Sequence, residues 1–136
     1  MADTLKLQII TPEAIVYSED VEMVTLPGVE GQLGVYPKHV PLLTQMLPGE
    51  VIVNKGGHTE SLAVGEGVIE VTADHVAILT DMAIEAEHID EAKVEEARRR
   101  AEARLQEKLS DEEIASTNAS LARALAQLNV KRRRTK

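Results

Sequence analysis

The sequence predicts an N-terminal antiparallel β-sandwich or barrel of short strands followed by a C-terminal antiparallel two-helix hairpin, and three observations predict it. All eight glycines lie at or before Gly67 and all five prolines at or before Pro48, so the chain-breaking residues stop well before the C-terminal third. Within that region short β-branched runs recur with turn signals between them, the pattern of an all-β sandwich or barrel. From Ile89 onward the residues become Ala, Glu, Arg and Leu, all strong helix formers. Strand and helix do not alternate, which disfavours a parallel nucleotide-binding sheet.

In chain order, the β-branched runs fall at residues 5–10, 14–17, 21–26, 32–36, 42–47, 51–55, 61–64, 68–73 and 76–81. The clearest local element joins residues 51–55 to 58–64 through Gly56-Gly57, two residues able to supply the positive φ values of a tight hairpin. A second hairpin is expected to turn at Ala73-Asp74-His75. Asp90 is placed to cap the first helix, and Ser110-Asp-Glu-Glu113 reads as a capping box opening the second. The break between them is expected near Leu109, giving two helices of about 18 residues each, within the usual length of a globular helix. Val94, Ala97, Ala101, Leu105 and Lys108 or Leu109 trace one face of the first. Ile114, Asn118, Leu121, Leu125 and Leu128 trace a face of the second, and Ala115, Ala119, Ala122 and Ala126 form a narrow small-residue stripe beside it. A short connection makes the helices antiparallel neighbours. With few large aliphatics in its seam, the hairpin is expected to dock marginally while its helices keep high intrinsic propensity. The two parts divide at residues 1–88 and 89–136.

Composition narrows the function. Residues 1–90 carry 15 Asp and Glu against three Lys, a balance of −12; residues 91–136 carry 12 Lys and Arg against eight acids, a balance of +4. Two parts of opposite sign face different partners. There are no cysteines, which removes disulfides, thiolate catalysis and thiolate metal sites. Tyr17 and Tyr36 are the only aromatic residues, so base-stacking platforms for single-stranded nucleic acid are missing. No run approaches the roughly 20 apolar residues of a membrane span, and the N-terminus lacks the pattern of a signal peptide.

No catalytic motif stands out. Gly28, Gly31 and Gly34 have neither the dinucleotide-binding nor the P-loop spacing and are expected to serve tight turns. His39, His58, His75 and His88 are too dispersed for a zinc site, so no metal is expected and surface exposure or partner contact is expected for each. Neither a nucleophile elbow nor a paired-carboxylate spacing is present. Two stretches stand apart. Residues 28–49 set Tyr36, His39 and several apolar residues among glycines and prolines, a composition typical of partner-binding loops and equally of rigid turns that close a sandwich. Residues 131–136 place five positive charges in six residues directly after a helix, suited to a solvated tail, to the helix C-terminal dipole, or to docking on an acidic surface. A nucleic-acid adaptor using this basic end is the remaining alternative, and the absence of base-reading elements speaks against it.

Taken together, Leu5-Lys-Leu-Gln-Ile-Ile-Thr-Pro12, Gly31-Gln-Leu-Gly-Val-Tyr-Pro-Lys-His-Val-Pro-Leu-Leu-Thr44, Gly65-Glu-Gly-Val-Ile-Glu-Val71, Ile89-Asp-Glu-Ala-Lys93 and Leu121-Ala-Arg-Ala-Leu-Ala-Gln-Leu-Asn-Val130 resemble, in order and spacing over nearly the whole chain, the epsilon subunits of bacterial and chloroplast F-type ATP synthases. The resemblance implies a sandwich of about ten strands and a non-catalytic place in the central stalk. It implies that the sandwich binds the gamma subunit and the ring of c subunits through Gly31, Gln32, Leu33, Tyr36 and His39. It further implies that the helices leave the compact hairpin and extend toward the alpha and beta subunits to restrain ATP hydrolysis, with Lys131, Arg132, Arg133 and Arg134 meeting an acidic segment of beta. The location implied is peripheral, on the cytoplasmic or stromal side of a plasma or thylakoid membrane, reached only through the c-ring. No cofactor is implied beyond weak ATP binding at Asp90, Lys93 and Arg100; Lys93 and Val94 stand where the family pattern has Arg and Ala, and a lysine lacks the planar fork of an arginine.

Overall fold

The computed structural model describes residues 3–134, apart from the side chain of Arg134. Ten strands, β1 (Leu5–Ile10), β2 (Ile15–Val21), β3 (Met23–Gly28), β4 (Gly31–Val35), β5 (Leu42–Met46), β6 (Gly49–Lys55), β7 (His58–Val64), β8 (Gly67–Val71), β9 (His75–Thr80) and β10 (Ala83–Glu85), precede a 3-10 turn at Ala86–His88 and two helices, α1 (Glu91–Arg104) and α2 (Asp111–Arg134). The strands hydrogen-bond in the order β10-β7-β6-β3-β5-β8-β9-β1-β2, with β4 on β3. A single pairing, Gly28 with Met46, carries the sheet from β3 to β5. At that corner the sheet folds over into two layers, β4 with β10-β7-β6-β3 and β5-β8-β9-β1-β2. All pairings are antiparallel except β1 with β9, which run parallel in the middle of the second layer.

Alternation sets the core. Leu5, Leu7, Ile9, Val24, Leu26, Val51, Val53, Leu62, Val64, Ile69, Val71, Val76 and Ile78 point between the layers and are closed to solvent. The far ends of the folded sheet are tied together by Tyr17 on β2, whose hydroxyl donates to Glu60 on β7 at 3.0 Å, and by the Lys55–Glu19 ion pair. The Gly56-Gly57 turn forms as expected, with φ of 58° and 82°, and the β8–β9 turn closes through Thr72 N–H on His75 C=O at 2.8 Å. The turn expected of Gly28 and Gly31 lies at Val29-Glu30, between them, and joins β3 to β4. The tenth strand, β10, is too short for periodicity to mark; it exists because Ala83, Ile84 and Glu85 extend β7 along its free edge.

The helices depart from expectation in length. Asp90 caps α1, accepting from Lys93 N–H at 3.2 Å. The helix stops at Arg104, 14 residues long, because Gln106 and Glu107 bond back to Ala103 and Arg104, the tighter 3-10 spacing. Lys108 and Leu109 lie outside it. The capping box forms, Ser110 Oγ accepting from Glu113 N–H at 3.2 Å and Glu113 accepting from Ser110 N–H at 3.1 Å. α2 then runs for 24 residues and includes Lys131 to Arg134. Lys131 to Arg134 are thus the last turn of a helix, as arginine and lysine are good helix formers and sit well at a helix C-terminus; Thr135 and Lys136 lie outside the described residues.

Candidate interaction surfaces

The hairpin lies on the sandwich through a cluster separate from the main core. Ala63 of β7, Ala86, Ile89, Val94 of α1, and Ala124, Leu128 and Val130 of α2 are buried together, with Ile84 against them. Alanines bring the backbones close, and this rotates α2 relative to the face read from its leucines. Thr117, Ala124, Ala126, Leu128 and Val130 are buried, whereas Ile114 and Leu125 are both 39% exposed. Asn118 also faces solvent. Thr117 satisfies its buried hydroxyl by donating to Glu113 C=O at 2.7 Å. On α1, Val94 and Ala101 are buried, while Ala97 and Leu105 are half-buried.

Polar contacts complete the docking. Arg123 of α2 donates to Asp81 at 3.0 Å, in a space that exists because position 65 is glycine; a Cβ there would run into the Asp81 carboxylate. Three of the four basic residues singled out from the sequence are engaged inside the chain. Lys131 donates to Ala86 C=O at 3.4 Å, Arg132 bridges Glu91 at 2.9 Å and Glu95 at 2.8 Å on α1, and Arg133 pairs with Glu50 on β6 at 3.0 Å. The Glu95 carboxyl is held below its ordinary range by its bond from Arg98 and also by Arg132.

The five residues expected at a rotor contact divide into two groups. Gly31, Gln32 and Leu33 open β4 beside the Val29-Glu30 turn; Gly31 and Gln32 face solvent, and Leu33 packs partly on the core. Tyr36 and His39 lie past the other end of that strand. Five residues of strand at about 3.4 Å each separate Gly31 from Tyr36 by about 17 Å. Tyr36 is 62% exposed, and the His39 ring contacts Val40 C=O at 2.6 Å. The loop carrying them is pinned by Lys38 N–H on Ala73 C=O, Lys38 taking a φ of 68°.

A larger feature was not singled out from the sequence. The registers of β8 with β9, β9 with β1 and β1 with β2 align Val68, Leu79, Ile10 and Ile15 in one row across the outer face of the second layer. Val68, Leu79 and Ile15 are exposed there, and on β5 Leu43, 71% exposed, lies near Val40 of the preceding loop. The signal that could have found the row is a set of apolar doublets, Ile9-Ile10, Leu42-Leu43, Val68-Ile69 and Ile78-Leu79. In a strand one member of each doublet must point outward.

The three residues expected near nucleotide are also separated. Asp90 spends its carboxylate on the helix cap. Lys93 lines a groove of about 270 Å³ between α1 and α2 together with Val94, Ala97, Ser120, Arg123, Ala124 and Gln127. Arg100 lies outside it, paired with Glu96 at 3.0 Å. Glu85, Glu87 and His88 bring their ligating atoms within 4.8 Å of one another at the sandwich–hairpin junction, an exposed acidic turn of an ordinary kind. His75 departs from the expected exposure, its Nε2 being buried.

Comparison with known proteins places these features in a family. The model for the ATP synthase delta/epsilon chain beta-sandwich domain matches residues 4–86, and that for the delta/epsilon chain long alpha-helix domain matches residues 87–132. The chain is 41% identical to the ATP synthase epsilon chain of Herpetosiphon aurantiacus over 93% of both chains, and 41% identical to that of Bacillus licheniformis over 95% of this chain and 98% of the relative. Its fold is similar to a chain in the cryo-EM structure of Euglena gracilis mitochondrial ATP synthase, OSCP/F1/c-ring in rotational state 1, with a TM-score of 0.76 at 23% identity over 93% of this chain and 79% of that one. It is also similar to a chain in the central stalk/c-ring structure of Tetrahymena thermophila mitochondrial ATP synthase, with a TM-score of 0.58 at 12% identity over 97% of this chain and 96% of that one. At those identities the two structures speak for the fold.

Proposed function

The chain belongs to the ATP synthase delta/epsilon chain family, and from that membership we propose that it is a non-catalytic central-stalk subunit with two jobs. The sandwich attaches to the rotor, bridging the gamma subunit and the c-ring. The helices restrain ATP hydrolysis when they leave the hairpin and reach the alpha and beta subunits, with Lys131 to Arg134 meeting acidic residues of beta.

The observation that carries the attachment is the exposed row of Val68, Leu79, Ile10 and Ile15. A contiguous outward apolar patch on a sheet whose inward face is already packed is what a lasting protein contact requires. Leu43 on β5 offers further exposed apolar surface in the same layer. No helix among the described residues is long and apolar enough to cross a membrane, and attachment to the energy-transducing membrane, on its cytoplasmic or stromal side, is proposed through the c-ring alone. The movable role of the hairpin is supported by its small, alanine-rich contact with the sandwich, distinct from the main core. Truncation before Asp90 tests both jobs together. The shortened chain is expected to fold, assemble with gamma and raise the ATPase rate of the complex; unchanged ATPase under all nucleotide and driving-force conditions would remove the inhibitory role.

A second reading concerns the groove between the helices. Lys93 and Arg123 set two cations at its rim, which supports weak ATP binding in the docked hairpin, with Arg123 taking the place expected of Arg100. Calorimetry on the isolated chain decides this, and no heat at millimolar ATP would remove it.

A further inference from the structure

Glu50 is the most confined carboxylate in the contact between sandwich and hairpin. It sits on β6 opposite Ala63, which is fully buried under α2. Its side chain is only 13% exposed, one oxygen forms an ion pair with Arg133 at 3.0 Å, and the other oxygen is buried without a hydrogen-bond partner. A carboxylate so placed has lost most of its hydration, and its one compensation is the arginine. Arg133 differs: its side chain is 61% exposed and loses little hydration in the pair. Docking the hairpin therefore costs Glu50 its water, and Arg133 supplies the compensation. Beside this pair, Glu91 and Glu95 hold Arg132, so the last turn of α2 already has carboxylate acceptors within its own chain.

We infer that Glu50, with Glu91 and Glu95, is an internal acceptor for the basic end of α2 that an external acidic partner must displace, and that Glu50 makes loss of Arg133 to such a partner release the hairpin. The inference rests on the proposed use of Lys131 to Arg134 as a partner-binding end. The Nη2 of Arg133 faces Glu50, at 3.0 Å, so a partner that draws that nitrogen outward takes it from Glu50. Capture of Arg133 from outside leaves Glu50 buried and uncompensated, and lifting the hairpin rehydrates it. The release is thus driven from the sandwich side, by a residue that need not touch the partner.

The chain has no native cysteine, so Ala124→Cys, buried in the docking cluster, gives a single thiol whose labelling rate reads the undocked fraction of the full-length isolated chain. In that background Arg133→Ala is expected to speed labelling about tenfold, an allowance reduced for the exposure of the arginine. Glu50→Gln combined with Arg133→Ala is expected to return the rate to that of the parent, because no charge is then stranded. An oligoglutamate peptide is expected to speed labelling of the parent, in a salt-sensitive manner, and to leave the Glu50→Gln chain unaffected. Equal rates in the parent and Arg133→Ala, failure of Glu50→Gln to rescue, or equal response of both chains to the peptide would each overturn the inference. These outcomes concern the isolated chain, so they stand apart from the ATPase result that decides the proposed function.

Discussion

Tyr17 ties the two layers of the sandwich together with a hydrogen bond as well as a ring. Its burial, then its hydrogen bond to Glu60 and that group's charge, push the phenol above its ordinary value of 10.0. The folded protein holds this proton more tightly than the unfolded chain, so the associated stability is complete below pH 10 and is lost as pH rises beyond it. Tyr17→Phe should cost about 0.5–1.5 kcal/mol near neutrality and flatten the alkaline arm of a pH–stability curve, as read by urea unfolding. Leu79→Asp makes the opposite kind of test. Its side chain is half exposed, so stability should change by only about 0.5 kcal/mol, while co-purification with gamma should be lost. Legibility differed for these two residues for a physical reason. Leu79 was visible in principle, through the Ile78-Leu79 doublet, whereas the partner of Tyr17, 43 residues away, depends on how the sheet folds over.

Short-range chemistry was the most readable part of the chain. The Gly56-Gly57 turn, the Asp90 cap and the Ser110–Glu113 capping box each depend on residues no more than a few positions apart, and each formed as read. Ser110→Ala should therefore destabilise the hairpin by about 1 kcal/mol, measurable as faster amide exchange in the first turn of α2. Packing was less readable. Leucine spacing pointed to Leu121, Leu125 and Leu128, yet only Leu128 of these is buried, and it shares the docked face with Ala124 against Ala63 and Ala86, where small side chains permit close approach. The end of α1 was likewise hidden, since Leu105, Gln106 and Glu107 have good helix propensity and carry no breaker. Leu128→Ala should remove about 2–5 kcal/mol of local packing. Because the docking cluster is small, the expected result is release of the hairpin with the sandwich intact, visible as retained exchange protection in β1 and β9 alongside lost protection in α2. Gly65→Val should do the same by forcing Asp81 and Arg123 apart.

At the scale of the whole molecule, the opposite charges of the two parts meet inside one chain before they meet any partner. Arg123 on Asp81 and Arg133 on Glu50 turn the charge division seen in the sequence into a latch, while Arg132 on Glu91 and Glu95 ties the two helices to each other. Acid should open it from the helical side. Glu95, chiefly through Arg98 and then Arg132, and Glu113, chiefly through its Ser110 bonds, titrate below the ordinary 4.5 when folded. Their contribution is complete above that value and is lost as pH falls through the lowered ones, so the hairpin should loosen in acid, with faster thiol labelling of Ala124→Cys as the readout. In the proposed function the sandwich holds the rotor while the hairpin docks or departs. The most direct test is the distance between labels at Thr72 on the sandwich and Asn129 near the end of α2, measured in the isolated chain and in the assembled, hydrolysis-restrained complex. The 24 residues of α2 span about 36 Å at 1.5 Å per residue, so a hairpin that departs gives one short distance in the isolated chain and a second, longer by a large part of that span, in the restrained complex. A single unchanged distance in both would contradict it.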